Sequence, residues 1–206
     1  LELFRGALPE DQLFWLIAGP VAGGFLSGLL TLALTPMAEA ALGYVTDLRL
    51  AALADLNQPL LKELIVHAPG TWHHSMRAAH LAGAAARAID ANERLARVIA
   101  LYHDVGKIKQ PQFFVESLHG RDNPHARLEP EASAKILHEQ VSKGVELARR
   151  ARLPREVVEA ISEHHADLPM AHSVDEARAA AASKGAPFRT AAALRHRGPR
   201  PRSRES

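Results

Sequence analysis

No charged residue falls between Asp11 and Glu39. Within that interval residues 13–35, LFWLIAGPVAGGFLSGLLTLALT, are apolar over a length that suits a bilayer, whose hydrocarbon core a helix crosses in about 20 residues. Gly19, Gly23, Gly24 and Gly28 would weaken a water-exposed helix, yet small residues are common where membrane helices pack closely, so they suggest neighbouring helices. A secretory signal peptide is the main rival. The acidic flank of Glu10 and Asp11 and the excess apolar length argue against it. The stretch therefore reads as a transmembrane helix. Its orientation cannot be taken from charge, because Arg5 on one side nearly balances Arg49 on the other.

Beyond this span the chain has the makings of a folded domain. A hydrophobic share of 47% is ordinary for a chain that buries a core. Twenty-five basic against 23 acidic residues leave a net charge of +2, which does not call for a nucleic-acid polymer as partner. With no cysteine, disulfides, thiolate metal sites and cysteine nucleophiles are all excluded. The 12 histidines, many of them in the middle of the chain, are available for metal or acid–base chemistry. A start at Leu1 rather than Met suggests that the chain is cut from something longer.

Four regions follow. Residues 1–45 hold the span and its flanks. Residues 46–72 read as a connector helix broken before Pro59, with Leu48, Leu50, Leu53, Leu56 and Leu60 at near-helical spacing. Residues 73–165 form a succession of amphipathic helices at 74–89, 93–102, 130–151 and 154–165, with no alternating run that suggests a strand. Residues 166–206 lose this order, and their Pro- and Arg-rich end, LRHRGPRPRSRES, is expected to be extended or disordered. The fold class predicted is all-α.

His103 and Asp104 close one helix and are followed by Gly106, read as a tight turn, and Lys107, read as an ammonium directed at phosphate. His74 lies near the start of an earlier helix, and His164 and His165 end a later one. Each pair alone reads best as a solvated or capping histidine. As a set on three helices they read as metal ligands, since imidazole and carboxylate suit Fe, Mn or Zn. Neighbours on a helix point about 100° apart, so adjacent histidines reach different ions more naturally than one, which favours a binuclear site.

The pattern His74-Ser75, His103-Asp104-x-Gly-Lys107, His164-His165 resembles the HD superfamily of metal-dependent phosphohydrolases. The stretches TDLRLAALADLNQPLLKELIVHAPGTWHHS, YHDVGKIKQPQFFVES, NPHARLEP and GVELARRARLP are similar to the membrane-bound seven-transmembrane HD family that hydrolyses cyclic di-AMP. That resemblance runs from about residue 13 to residue 165. It implies hydrolysis of a cyclic dinucleotide to its linear form by a cytoplasmic domain attached to the cell membrane, with two divalent ions, Fe or Mn, as cofactors. It assigns His74, His103, Asp104, His164 and His165 as ligands and makes Asp104 the bridge. Lys107 becomes a catalytic and phosphate-binding residue, and His125 a substrate-side or supporting one. The HD-GYP enzymes for cyclic di-GMP are disfavoured, because no Gly-Tyr-Pro follows His165.

Two departures stand out. Gln140 occupies the position at which the family carries a further ligand histidine, and a carbonyl oxygen is a weaker substitute for imidazole. His138 points about 200° around the helix from it and cannot replace it. After His165 the family's Gly-Thr segment and aromatic-rich helix give way to ADLPMAHSVDEARAAAASKGAPFRTAAAL, before GPRPRSRES resembles the family again. A pair of compensating frameshifts is one economical account, which an uninterrupted reading frame on resequencing would remove. The chain then stops before the helix on which the family carries an Asp ligand. The sequence thus predicts an impaired phosphodiesterase, with a non-catalytic membrane-anchored module that binds metal or nucleotide as the alternative.

Overall fold

The computed structural model describes residues 10–118, 120–170, 174, 194–196 and 198–205. Helix α1 (Glu10–Leu42) belongs to one unit, Leu1–Thr46, and the remaining helices belong to a second, Asp47–Ser206. Helix α1 extends past both expected ends and contains Pro20 and Pro36. Each proline removes one backbone donor, but the residues after Pro36, Met-Ala-Glu-Ala-Ala-Leu, are mostly strong helix formers and carry the helix on. Its segment Gln12–Glu39 is long and apolar enough to cross a membrane. Phe14, Trp15, Val21, Phe25, Leu30 and Met37 are all exposed, apolar surface that water does not favour.

The second unit is built from α2 (Asp47–Leu53), α3 (Pro59–His67), α4 (Pro69–Ala88), α5 (Glu93–Tyr102), α6 (Pro130–Arg150) and α7 (Arg155–Glu163). Four short 3-10 turns, Val105–Lys109, Pro111–Phe113, Val115–Ser117 and Pro124–Arg127, carry the chain from α5 to α6. Among the described residues there is no strand, only an isolated bridge between Pro169 and Arg195. The all-α expectation holds. Helix α5 has the expected bounds because Asn92 caps it, its side chain accepting from the Leu95 amide at 3.0 Å. Helix α4 starts earlier than expected, at Pro69, where proline suits the first turn.

The segment expected as a connector is broken ahead of Pro59, as its sequence suggested. Residues 47–67 form two helices packed into the second unit, and Leu50, Leu53, Leu60, Leu61 and Leu64 are buried there, while Leu48 and Leu56 are exposed. The Tyr102 hydroxyl donates to the Leu53 carbonyl at 2.8 Å, tying α2 to α5. These leucines join Val98, Val105, Val157 and Ile161 in the core. Burying such side chains is worth about 1.5–3 kcal/mol each, so the segment is part of the domain's stability.

Most of the Ala-rich stretch after His165 lies outside the described residues. Residues 194–196 and 198–205 form no α-helix, and they are docked on the domain. The Met170 amide donates to the Leu194 carbonyl at 2.9 Å, and both side chains are buried with Ala134. The Arg202 amide donates to the buried Glu163 carboxylate at 3.2 Å, and the Asn92 amide donates to Glu205 at 3.1 Å. The closing segment thereby fastens the end of α7 and reaches the start of α5.

Candidate metal centre

Helices α5 and α7 end in the same way. The Nδ1–H of His103 donates to the Ala100 carbonyl at 2.8 Å, and the Nδ1–H of His164 donates to the Ile161 carbonyl at 2.8 Å. A histidine just past a helix end can reach back to a carbonyl with no intrahelical partner, and this fixes the tautomer. Each ring then presents Nε2 inward. The His103 Nε2 lies 3.1 Å from Asp104 Oδ2, and the His164 Nε2 lies 3.6 Å from Asp104 Oδ1. His74, from α4, places its Nε2 3.9 Å from Asp104 Oδ2. The His164 and His165 rings are 3.9 Å apart between centroids. All five residues expected to converge do so around one carboxylate, which is only 4% exposed.

The position of the turn carrying Asp104 follows from Gly106. A Cβ there would lie 1.8 Å from the Gln140 carbonyl oxygen and 2.7 Å from the Gly144 amide nitrogen. The chain does turn tightly there, in the 3-10 turn Val105–Lys109, and glycine is also needed for the close approach of α6. That contact brings Gln140, only 7% exposed, to the cluster, with its Nε2 3.0 Å from His165 Nε2.

Lys107 does not extend freely. Its ammonium lies 2.8 Å from Asp104 Oδ2 and 2.7 Å from Glu116 Oε1, over the Phe114 ring at 4.8 Å from the centroid. His125 is also held. Its Nε2–H donates to the Phe113 carbonyl at 2.8 Å, and its Nδ1 is hydrogen-bonded to the Ser133 hydroxyl at 2.6 Å. With both nitrogens engaged inside the protein, His125 sits in the cavity wall in the supporting position, one of the two roles expected of it. Lys107, Glu116, Gln140, His165 and His196 line the same cavity of about 360 Å³.

The charges are strongly coupled. Burial raises the Asp104 pKa, but His103, the nearby His164 imidazole and Lys107 outweigh it and hold the carboxyl well below its usual range. Burial lowers the Lys107 pKa, and Asp104 and Glu116 more than reverse this. His103 is raised on balance, because Asp104 and the Ala100 carbonyl overcome burial. His74 is lowered, chiefly by burial. Burial, then the charges of His164 and His196, push His165 down to about 3. The site thus holds an ionised carboxylate beside imidazoles of which His74 and His165 are biased to the neutral form, donor types that a divalent metal takes.

Two groups, His74 with His103 and Asp104, and Asp104 with His164 and His165, each bring three donor atoms within 4.8 Å of one another. Buried Asp104 Oδ1, His164 Nε2 and Gln140 Oε1 have no hydrogen-bond partner. Unpartnered acceptors at a buried site are costly unless a cation takes them, so the residues fit a divalent metal.

Sequence reasoning missed Glu116 and His196. The His196 ring stacks on His165 at 4.1 Å and 17°, and burial, with His138 and His164, lowers its pKa to about 4. Neither residue stands at a spacing that signals chemistry.

A helical fold that gathers histidines around a His-Asp pair defines a class of metal-binding domain, and the profile of the HD domain family matches residues 71–204. The chain belongs to the HD domain family. It is 37% identical over 186 residues to the cyclic-di-AMP phosphodiesterase PgpH of Bacillus subtilis, an alignment covering 90% of this chain and 26% of that protein. A Synechocystis protein designated slr0104 is 37% identical over 201 residues, 97% of this chain and 24% of that one. The chain thus spans about a quarter of the length of these relatives. The crystal structure of the Listeria monocytogenes PgpH HD domain in complex with cyclic-di-AMP is similar, with a TM-score of 0.66 and 37% identity over 74% of this chain and 69% of that one. The family match continues past His165, where the sequence reading placed a departure.

Proposed function

We propose that the second unit is a two-metal phosphodiesterase domain that opens cyclic di-AMP to the linear dinucleotide. The single observation that carries this reading is the convergence of His74, His103, His164 and His165 on Asp104, with unpartnered acceptors facing inward. The substrate comes from the relatives, two named for cyclic di-AMP. His74, His103 and Asp104 would hold one ion, and Asp104, His164 and His165 the other. Fe or Mn suits these donors. When bound, such ions lower the pKa of water and offset charge on phosphoryl oxygens. The chain's own residues do the rest. The carbonyls of Ala100 and Ile161 orient two imidazoles, and Lys107 supplies a protonated amine to a phosphate oxygen as a water–phosphorus bond forms and one phosphorus–oxygen ester bond breaks. The domain is placed on the cytoplasmic face of the cell membrane, with α1 as its span.

Gln140 supports a second element of the proposal, that turnover in this chain is impaired. It stands where the resemblance places a ligand histidine, and its amide contacts His165 instead. The alternative, a non-catalytic membrane-anchored module binding metal or nucleotide, draws on the same observation. Purified protein supplied with manganese should convert cyclic di-AMP slowly, and Gln140→His should accelerate conversion by about tenfold or more. Metal and nucleotide binding with no turnover in either protein would favour the binding module.

A further inference from the structure

We propose that Glu116 is a positioning residue for phosphate: it anchors Lys107 so that the ammonium faces the cavity in a fixed direction. The inference rests on the phosphohydrolase reading above and deepens it. Glu116 Oε1 accepts from the Lys107 ammonium at 2.7 Å and from the Thr71 hydroxyl at 3.0 Å. Thr71 is buried in the first turn of α4. Next to it, a Cβ on Gly70 would lie 2.0 Å from the Glu116 carbonyl oxygen, so the Glu116 backbone is seated against α4 where no side chain fits. The carboxylate is therefore held by both its backbone and its neighbour before it meets Lys107.

An ammonium has three N–H donors. With one directed at Asp104 Oδ2 and one at Glu116 Oε1, tetrahedral geometry fixes the third. Lys107 and Glu116 both line the 360 Å³ cavity, so the direction of that donor matters to an anion bound there. A metal taking Asp104 would weaken the first anchor, and Glu116 would remain as the second. A lysine side chain without it regains rotamer freedom, which must be lost again when phosphate binds.

Simple charge deletion and loss of positioning predict opposite signs. Removing a carboxylate near an anion site strengthens anion binding by relieving repulsion. Removing the anchor of the cation weakens it. Inorganic phosphate binding to the manganese-loaded full chain in detergent, measured by calorimetry, separates the two. Glu116→Gln should keep its manganese content and helical circular dichroism yet bind phosphate about tenfold more weakly, the worth of one charge-assisted hydrogen bond. In a Lys107→Met background the same change should leave phosphate binding unchanged or strengthen it. Unchanged or tighter binding by Glu116→Gln alone would overturn the proposal, as would an equal weakening in the Lys107→Met background. Absence of phosphate binding by the parent would also overturn it. Failure to turn over cyclic di-AMP while phosphate binding follows the expected pattern would fall on the substrate assignment alone.

Discussion

At Asp104 one carboxylate meets Lys107 and, in the proposed reading, would also take a divalent cation. Lys107 occupies Oδ2, whereas Oδ1 lies buried without a partner beside His164. Removing the carboxylate leaves the protonated amine and the imidazoles facing one another, with nothing to bridge ions. Asp104→Ala should therefore lose bound manganese, and any cyclic di-AMP hydrolysis should fall by about a hundredfold or more, as loss of a central ligand requires. Metal analysis by mass spectrometry checks the first part, and manganese retained at the parental level would contradict the site. The candidate ligands were legible only as a set on three helices, because each histidine pair alone reads as a cap or a solvated helix end. Glu116 was not legible. Its meaning depends on Thr71, 45 positions away, and on a backbone contact at Gly70 that no residue pattern encodes.

Two junctions between elements hold the site in shape. At Gly106 the turn carrying Asp104 meets α6 with no room for a methyl group. Gly106→Ala should destabilise the domain by about 1–3 kcal/mol, the usual cost of overpacking, and should lower metal content with it. Urea unfolding measures the first effect, and a loss within about 0.5 kcal/mol would show that α6 can shift at little cost. The second junction is His196 on His165, with pKa values lowered from 6.5 to about 4 and about 3. Both rings are neutral in the folded protein, so the unfolded chain binds more protons below 6.5. Their contribution to stability is complete above that value and is lost as pH falls toward 4 and 3; His103, whose pKa is raised, acts in the opposite sense. Thermal unfolding of the chelated protein should therefore shift downward between about pH 7 and about pH 4, and His165→Gln should flatten that slope. A slope unchanged in the variant would contradict the assignment. Helices α4 to α7 could be read from periodicity and proline punctuation. The docking of the closing segment could not, because backbone amides, polar side chains and the apolar contact of Leu194 make it, and these leave no periodic trace.

The whole chain joins a membrane-length apolar helix to an HD domain. The helix was the most legible element, since its length and lack of charge need no tertiary information. If α1 spans the bilayer, the protein should sediment with membranes, resist extraction by alkaline carbonate and be released by detergent, whereas full recovery without detergent would contradict the span. The central claim, that the histidines around Asp104 hold metal for phosphodiester hydrolysis, has one most direct measurement. The chelated 206-residue chain is titrated with manganese while bound metal and conversion of cyclic di-AMP to its linear form are followed together, beside Asp104→Ala. The account predicts that metal binds to the parent chain, that slow conversion rises with occupancy, and that both are lost in the variant. Binding and conversion at equal levels in the two proteins, or neither in the parent at any manganese concentration, would contradict it.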